Sequence, residues 1–165
     1  ATGPDDRTGG GADLDLETEL RAAATGMAAI LAGKHARITI AVRPGLRVRT
    51  SPSALRAVLH DVLYQAVIDA ASHVLLAAAP EPGRIRIAVT DNGRAVTPLG
   101  RESVLRGAAA MLAMQGGSMQ IDRHPGEGMT VALPLPVPLA PTIDHETRPH
   151  ARPTAEQPAL RTRPL

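Results

Sequence analysis

Apolar residues recur along this chain with two different periods, and the periods divide it into elements. From Leu14 the spacing is helical, with Leu16, Leu20, Ala23, Met27, Ile30 and Leu31 on one face. Asp13 or Asp15 can cap the start of that helix, and Gly33 can stop it. Ile38, Ile40 and Val42 then alternate as a strand, Pro44-Gly45 makes a turn, and residues 46–49 read as a short second strand. Ser51-Pro52-Ser53 opens the next helix, a serine cap followed by proline at the first helical position. Its apolar residues include Leu55, Leu59, Val62, Ala66 and Ala70, and the pattern runs to about residue 71. Residues 74–79 and 84–90 read as two strands joined by a turn. Residues 103–114 predict a third helix, stopped by Gly116-Gly117. Met119, Ile121 and Arg123 form one strand and residues 129–133 another, joined by Pro125-Gly126-Glu127-Gly128.

Helix then two strands, repeated three times, predicts an α+β fold: a two-layer α/β sandwich whose mixed sheet carries three helices on one face. Residues 13–136 hold this pattern. Residues 1–12 are rich in Gly and Asp and are expected to be disordered. From Pro134 the character changes, because eight of the 15 prolines fall in the last 32 residues, with Arg, Thr and His between them. Such a segment is expected neither to pair into a sheet nor to build a core, so residues 137–165 read as a disordered Pro/Arg-rich tail.

Composition narrows the function classes. The chain has 165 residues, enough for one domain with a real core. Aromatic residues make up 1%, and Tyr64 is the only one, so the core must be aliphatic and base stacking on aromatic side chains is excluded as a recognition mode. Net charge is +2 and no Lys/Arg run stands out, so no nucleic-acid partner is expected. There is no cysteine, hence no disulfide and no thiolate metal site. No apolar stretch is long enough to span a bilayer and no signal peptide is visible, so no direct membrane contact is expected. The chain starts with Ala1 rather than Met, which suggests excision from something longer.

The most informative triplet is Asp91-Asn92-Gly93, at the end of the alternating run of residues 84–90. An acid at a strand end, followed by a glycine turn, can aim a carboxylate into a pocket. There it can accept a hydrogen bond from an amino group such as the exocyclic amine of adenine. A plain hairpin corner would use the same residues.

With these corners in this order, residues 13–136 resemble the ATP-binding domain of sensor histidine kinases. That domain belongs to the Bergerat-fold superfamily of gyrase, the mismatch-repair ATPases and the ninety-kilodalton chaperones. The helix of residues 55–69 looks like the N box, which carries two asparagines four residues apart that face the nucleotide and bind its magnesium. Here those positions hold Asp61 and Gln65, on one helix face with Asp69 a turn further. Both can offer oxygen to a hard cation. Asp61 also resembles the water-activating glutamate of the ATPase branches. A polar stripe on the solvent side of the helix would give the same pattern. Val89-Thr90-Asp91-Asn92-Gly93 looks like the G1 box, which implies Asp91 on the adenine amine and Gly93 at a close backbone approach, with Asn92 between them. The family's next glycine is Ala95 here. The phosphate-covering lid is reduced to residues 94–101, and its closing Gly-x-Gly-x segment falls on Glu102-Ser103-Val104-Leu105. Arg94, Arg101 and Arg106 are the cations left to contact phosphate. Gly126-Glu127-Gly128-Met129-Thr130, running on to Leu133-Pro134, resembles the final hairpin, with Thr130 near the adenine end. His60-Asp61 has the look of a phosphoacceptor pair, but only about 30 residues separate it from the triplet, so His60 reads as an N-box helix residue.

The resemblance implies a domain that binds ATP with Mg2+ and supports phosphoryl transfer to a histidine outside this chain. Its implied partners are ATP, the dimerisation and phosphoacceptor domain of the same protein, and a response regulator. The implied location is cytoplasmic, as in the cytoplasmic part of a membrane-bound sensor. Gln65, Ala95 and the lost lid glycines point instead to a degenerate, non-hydrolysing member, a pseudokinase or phosphorelay docking domain. A small α+β interaction domain whose corners imitate these motifs is the third reading.

Overall fold

A computed structural model describes residues 11–93 and 98–138. The disorder expected for both termini therefore falls largely outside the described residues. The elements are β1 (Ala12–Asp15), α1 (Leu16–Thr25), α2 (Ala28–Lys34), β2 (Arg37–Val42), β3 (Arg47–Thr50), α3 (Pro52–Asp69), β4 (His73–Glu81), β5 (Arg84–Asp91), α4 (Pro98–Ala113), β6 (Gln120–His124) and β7 (Gly128–Pro136). Five strands form a mixed sheet in the order β2-β4-β5-β7-β6. The β2–β4 pair is parallel, and the other three pairs are antiparallel. The fold is thus the expected α+β one, with a helical layer against a mixed sheet.

Alternation sets the faces. On β5 the buried residues are Ile85, Ile87, Val89 and Asp91, and on β7 they include Met129, Val131, Leu133 and Leu135. The register pairs Asp91 with Met129, Val89 with Val131 and Ile87 with Leu133, so these residues share the face that meets α3. Helix α3 answers with Leu55, Leu59, Val62, Leu63 and Ala66, all at most 1% exposed. It begins as its chemistry dictates: Ser51 is the N-cap, its hydroxyl accepts from the Ala54 amide, and Pro52 follows. Helix α1 is joined to α3 by a bidentate pair, Arg56 Nε and Nη2 donating to the two oxygens of buried Glu19 at 2.9 Å each. That carboxylate holds the Arg56 pKa above its ordinary value, first through the hydrogen bond and then through its charge.

Four expectations change. The first helix breaks into α1 and α2 at residues 26–27. The Met27 amide bonds three residues back to the Ala24 carbonyl, and this tightening ends the α-helical run at Gly26 while Met27 is buried. Residues 12–15 are a strand rather than part of a disordered arm or helix start, because β3 pairs with them, Ala12 opposite Thr50, in a separate two-stranded sheet. Helix α4 starts at Pro98, five residues before the expected Ser103, with proline in a first turn that needs no amide donor from it. Strand β7 continues through Pro134 and Pro136, opposite Arg86 and Arg84. The Pro134 carbonyl accepts from the Ser118 amide, so the nitrogen that lacks a proton faces the same side, beyond the paired length of β6 and away from β5.

Candidate functional site

Strand β5 delivers Asp91 to its last position, 2% exposed, on the helix-facing side. The cross-sheet row there is Ile38, Val74, Asp91, Met129 and Arg123. Asp91 is therefore flanked by an aliphatic side chain on one strand and a thioether on the other. The chain turns at once, and Asp91 Oδ1 accepts from the Gly93 amide at 3.0 Å. Gly93 brings this corner against the end of α3. A Cβ at Gly93 would stand 2.0 Å from the Asp69 carbonyl oxygen. Gly128 does the same from β7: its φ is +124°, and a Cβ there would stand 1.8 Å from the Asp91 carbonyl oxygen. Two glycines thus let the backbones of α3, β5 and β7 close up at the Asp91 corner.

Asn92 works on the other side of the corner. Its Oδ1 accepts from the amides of Ser72 and His73 at 3.1 and 3.0 Å, and its Nδ2 donates to the Ser72 hydroxyl at 3.0 Å. The side chain ties the start of β4 to the end of β5. Thr130 does not join Asp91. It pairs with Thr90, hydroxyl to hydroxyl at 3.0 Å, and both project from the opposite face of the sheet. The residue beside Asp91 is Met129, which the motif reading passed over. The signal was in the sequence: Met129, Val131, Leu133 and Leu135 share one parity, and Thr130 has the other.

Asp61 and Gln65 lie one turn apart on α3, and Asp69 one turn beyond. Gln65 and Asp69 are half-buried, and the Asp61 side chain is 44% exposed, with His60 Nδ1 3.5 Å from its Oδ1. At about 1.5 Å of rise per residue, Asp61 sits roughly 12 Å along the axis from the Asp69 end where Gly93 docks, and Gln65 roughly 6 Å. The outer stripe of the same helix carries Tyr64, stacked on His60 with ring centroids 6.0 Å apart. Among the described residues no group of three or more acidic or histidine side chains gathers to hold a metal ion.

The lid is shorter than expected, since only residues 92–97 connect β5 to α4. Arg94 and Ala95 lie outside the described residues, as does the side chain of Arg101. Glu102, where the family's phosphate-binding glycines would fall, forms an ion pair with Arg123 of β6. Arg106 is exposed. A cavity of about 280 Å3 lies at the far end of β5 from Asp91, lined by Gly83, Arg84, Gly117 and Pro134 among others, and it shares no residue with this site.

No family model and no curated protein matches the chain. Solved structures do. The full-length ShkA structure in complex with AMPPNP aligns over 78% of this chain with 26% identity and a TM-score of 0.69. The chain has the histidine kinase ATP-binding domain fold. The ATP-binding domain of PrrB from Mycobacterium tuberculosis aligns over 80% of this chain and 100% of its own, at 24% identity and a TM-score of 0.67. The catalytic domain of histidine kinase ThkA aligns over 76% and 95%, with 13% identity and a TM-score of 0.65. The chain spans 31% of full-length ShkA. Among the described residues no helix is long and apolar enough to cross a membrane.

Proposed function

We propose that this chain is the ATP-binding domain of a two-component sensor histidine kinase. The observation that carries the reading is the Asp91 corner: an aspartate 2% exposed between Val74 and Met129, at a strand end where Gly93 packs on the end of α3 and Gly128 on the Asp91 backbone. A carboxylate oxygen can accept more than one hydrogen bond, and the exocyclic amine of adenine is a donor of the matching kind. The ShkA structure, with AMPPNP bound, is the relative that supports a nucleotide here. Gly93 and Gly128 let the chain's own backbones close up beside Asp91, and Asn92 ties that corner to the start of β4. Asp61 and Gln65 fit Mg2+ by donor type, one carboxylate and one amide oxygen a turn apart, with the nucleotide's phosphates supplying further oxygens. When bound, the ion neutralises phosphate charge during transfer. This chain's residues position the nucleotide, and the γ-phosphoryl group passes to a histidine nitrogen elsewhere in the protein, leaving ADP. A response regulator would receive it next, in the cytoplasm.

A second reading is a non-hydrolysing domain that docks in a phosphorelay. Two observations favour it: the six-residue connection between β5 and α4, and the Glu102–Arg123 ion pair where phosphate-binding backbone would be. Titration with ATP and Mg2+ separates the two. Saturable binding that Asp91→Asn abolishes is the expected result. No binding at millimolar ATP would leave only the docking role.

A further inference from the structure

We infer that Met129, and not Thr130, sets how the base is held, so that the pocket grips adenine through its amine alone. The inference rests on the nucleotide reading above. Its basis is the sheet register. Asp91 lies opposite Met129, while Thr130 lies opposite Thr90. Directly opposed residues in an antiparallel pair project to the same face about 5 Å apart, and a shift of one residue moves a side chain to the other face. Met129 is 9% exposed on the helix-facing side. The Thr130 hydroxyl is engaged on the other side, 3.0 Å from Thr90 Oγ1 and 3.4 Å from His124 Nε2.

The chemistry follows from that row. Along Ile38, Val74, Asp91, Met129 and Arg123, the Arg123 guanidinium is paired with Glu102. Asp91, which already accepts from the Gly93 amide, is the carboxylate this row presents to a base edge. Adenine offers a donor, its amine, and beside it an acceptor, N1. Asp91 meets the donor. The thioether of Met129 has no proton to give N1 and meets it as an apolar, polarizable wall. This row thus offers the base edge one hydrogen bond rather than two.

The test is calorimetric titration of the full 165-residue chain with MgATP and with Mg-1-deaza-ATP, in which N1 is replaced by C–H. Wild type should bind the two analogues equally within about twofold, since a net hydrogen bond would separate them by more. Met129→Thr should tighten ATP by about three- to tenfold and open a gap of the same size against the 1-deaza analogue. Met129→Leu, which keeps the apolar wall, should bind the two analogues equally whatever its absolute affinity, and shows whether a change of packing confounds the threonine variant. Thr130→Val should leave both affinities unchanged. A wild type that discriminates strongly against 1-deaza-ATP, with Thr130→Val erasing the difference, overturns the inference while ATP binding stands. Absence of ATP binding in every variant overturns both.

Discussion

Gly93→Ala is the sharpest probe of how the site is built. The added Cβ would stand 2.0 Å from the Asp69 carbonyl oxygen and 2.6 Å from its carbon, against a practical limit of 3.0 Å. Relief requires the Asp91 corner and the end of α3 to part by at least about 1 Å, because both partners are backbone and neither can swing aside. Overpacking of this kind costs roughly 1–3 kcal/mol. Gly107 supplies the control. It lies inside α4 with nothing within 4 Å of its would-be Cβ, so Gly107→Ala should stabilise by about 0.5–1 kcal/mol through helix propensity. One chemical change at two sites should thus give opposite signs, with the variants about 1.5–4 kcal/mol apart in urea unfolding followed by circular dichroism. Gly93→Ala should also weaken ATP far more than Gly107→Ala, since a displacement near 1 Å at a positioning group can cost on the order of a hundredfold. A Gly93→Ala protein as stable as Gly107→Ala would refute the close approach and the pocket floor drawn from it.

Two other predictions address the metal and the first helix. If Asp61 holds magnesium, Asp61→Ala should weaken ATP binding severalfold in Mg2+ and hardly at all in EDTA; equal losses in both media would remove the assignment. Asp15 caps α1, and its pKa is lowered first by the Thr18 hydroxyl at 2.6 Å and then by the Thr18 amide at 3.0 Å. A depressed carboxylate stabilises the fold above its unfolded pKa, about 3.9, and loses that contribution as pH falls through the lower folded value. Asp15→Ala should therefore be less stable than wild type at neutral pH, with the gap closing below about pH 4. A gap of constant size from neutral pH to pH 3 would show that the charge of Asp15 plays no part.

Much of the fold was legible where local chemistry decides it. Ser51 and Pro52 announce α3, and the alternation of residues 84–90 announces β5. The misses were non-local. β1 exists because residues 47–50, some 35 positions away, offer it a partner, and nothing within Ala12–Asp15 reveals that. The break at Gly26 lies inside an apolar face that continues on both sides, so periodicity passes over it. Pro134 and Pro136 argue against a strand until it is known that β6 ends before them. At the candidate site, the turn after Asp91 and the hairpin at Gly128 are readable from their glycines, and the close backbone contacts of Gly93 and Gly128 are not. Counting along the motif points to Thr130, whereas parity along β7 puts Met129 beside Asp91.

The three hydrogen bonds of Asn92, with the contacts of Gly93, bear on descent. Asn92 fastens two strands, Gly93 fits against a helix end, and Asp91 braces the Gly93 amide. Natural selection for folding alone would hold all three letters in place for as long as the domain stays folded. A lineage could give up its nucleotide and still transmit the triplet unchanged, while Gln65, Ala95 and the lid drifted. Among relatives of this chain, those outlying positions should record gain and loss of turnover, and the triplet should persist through both.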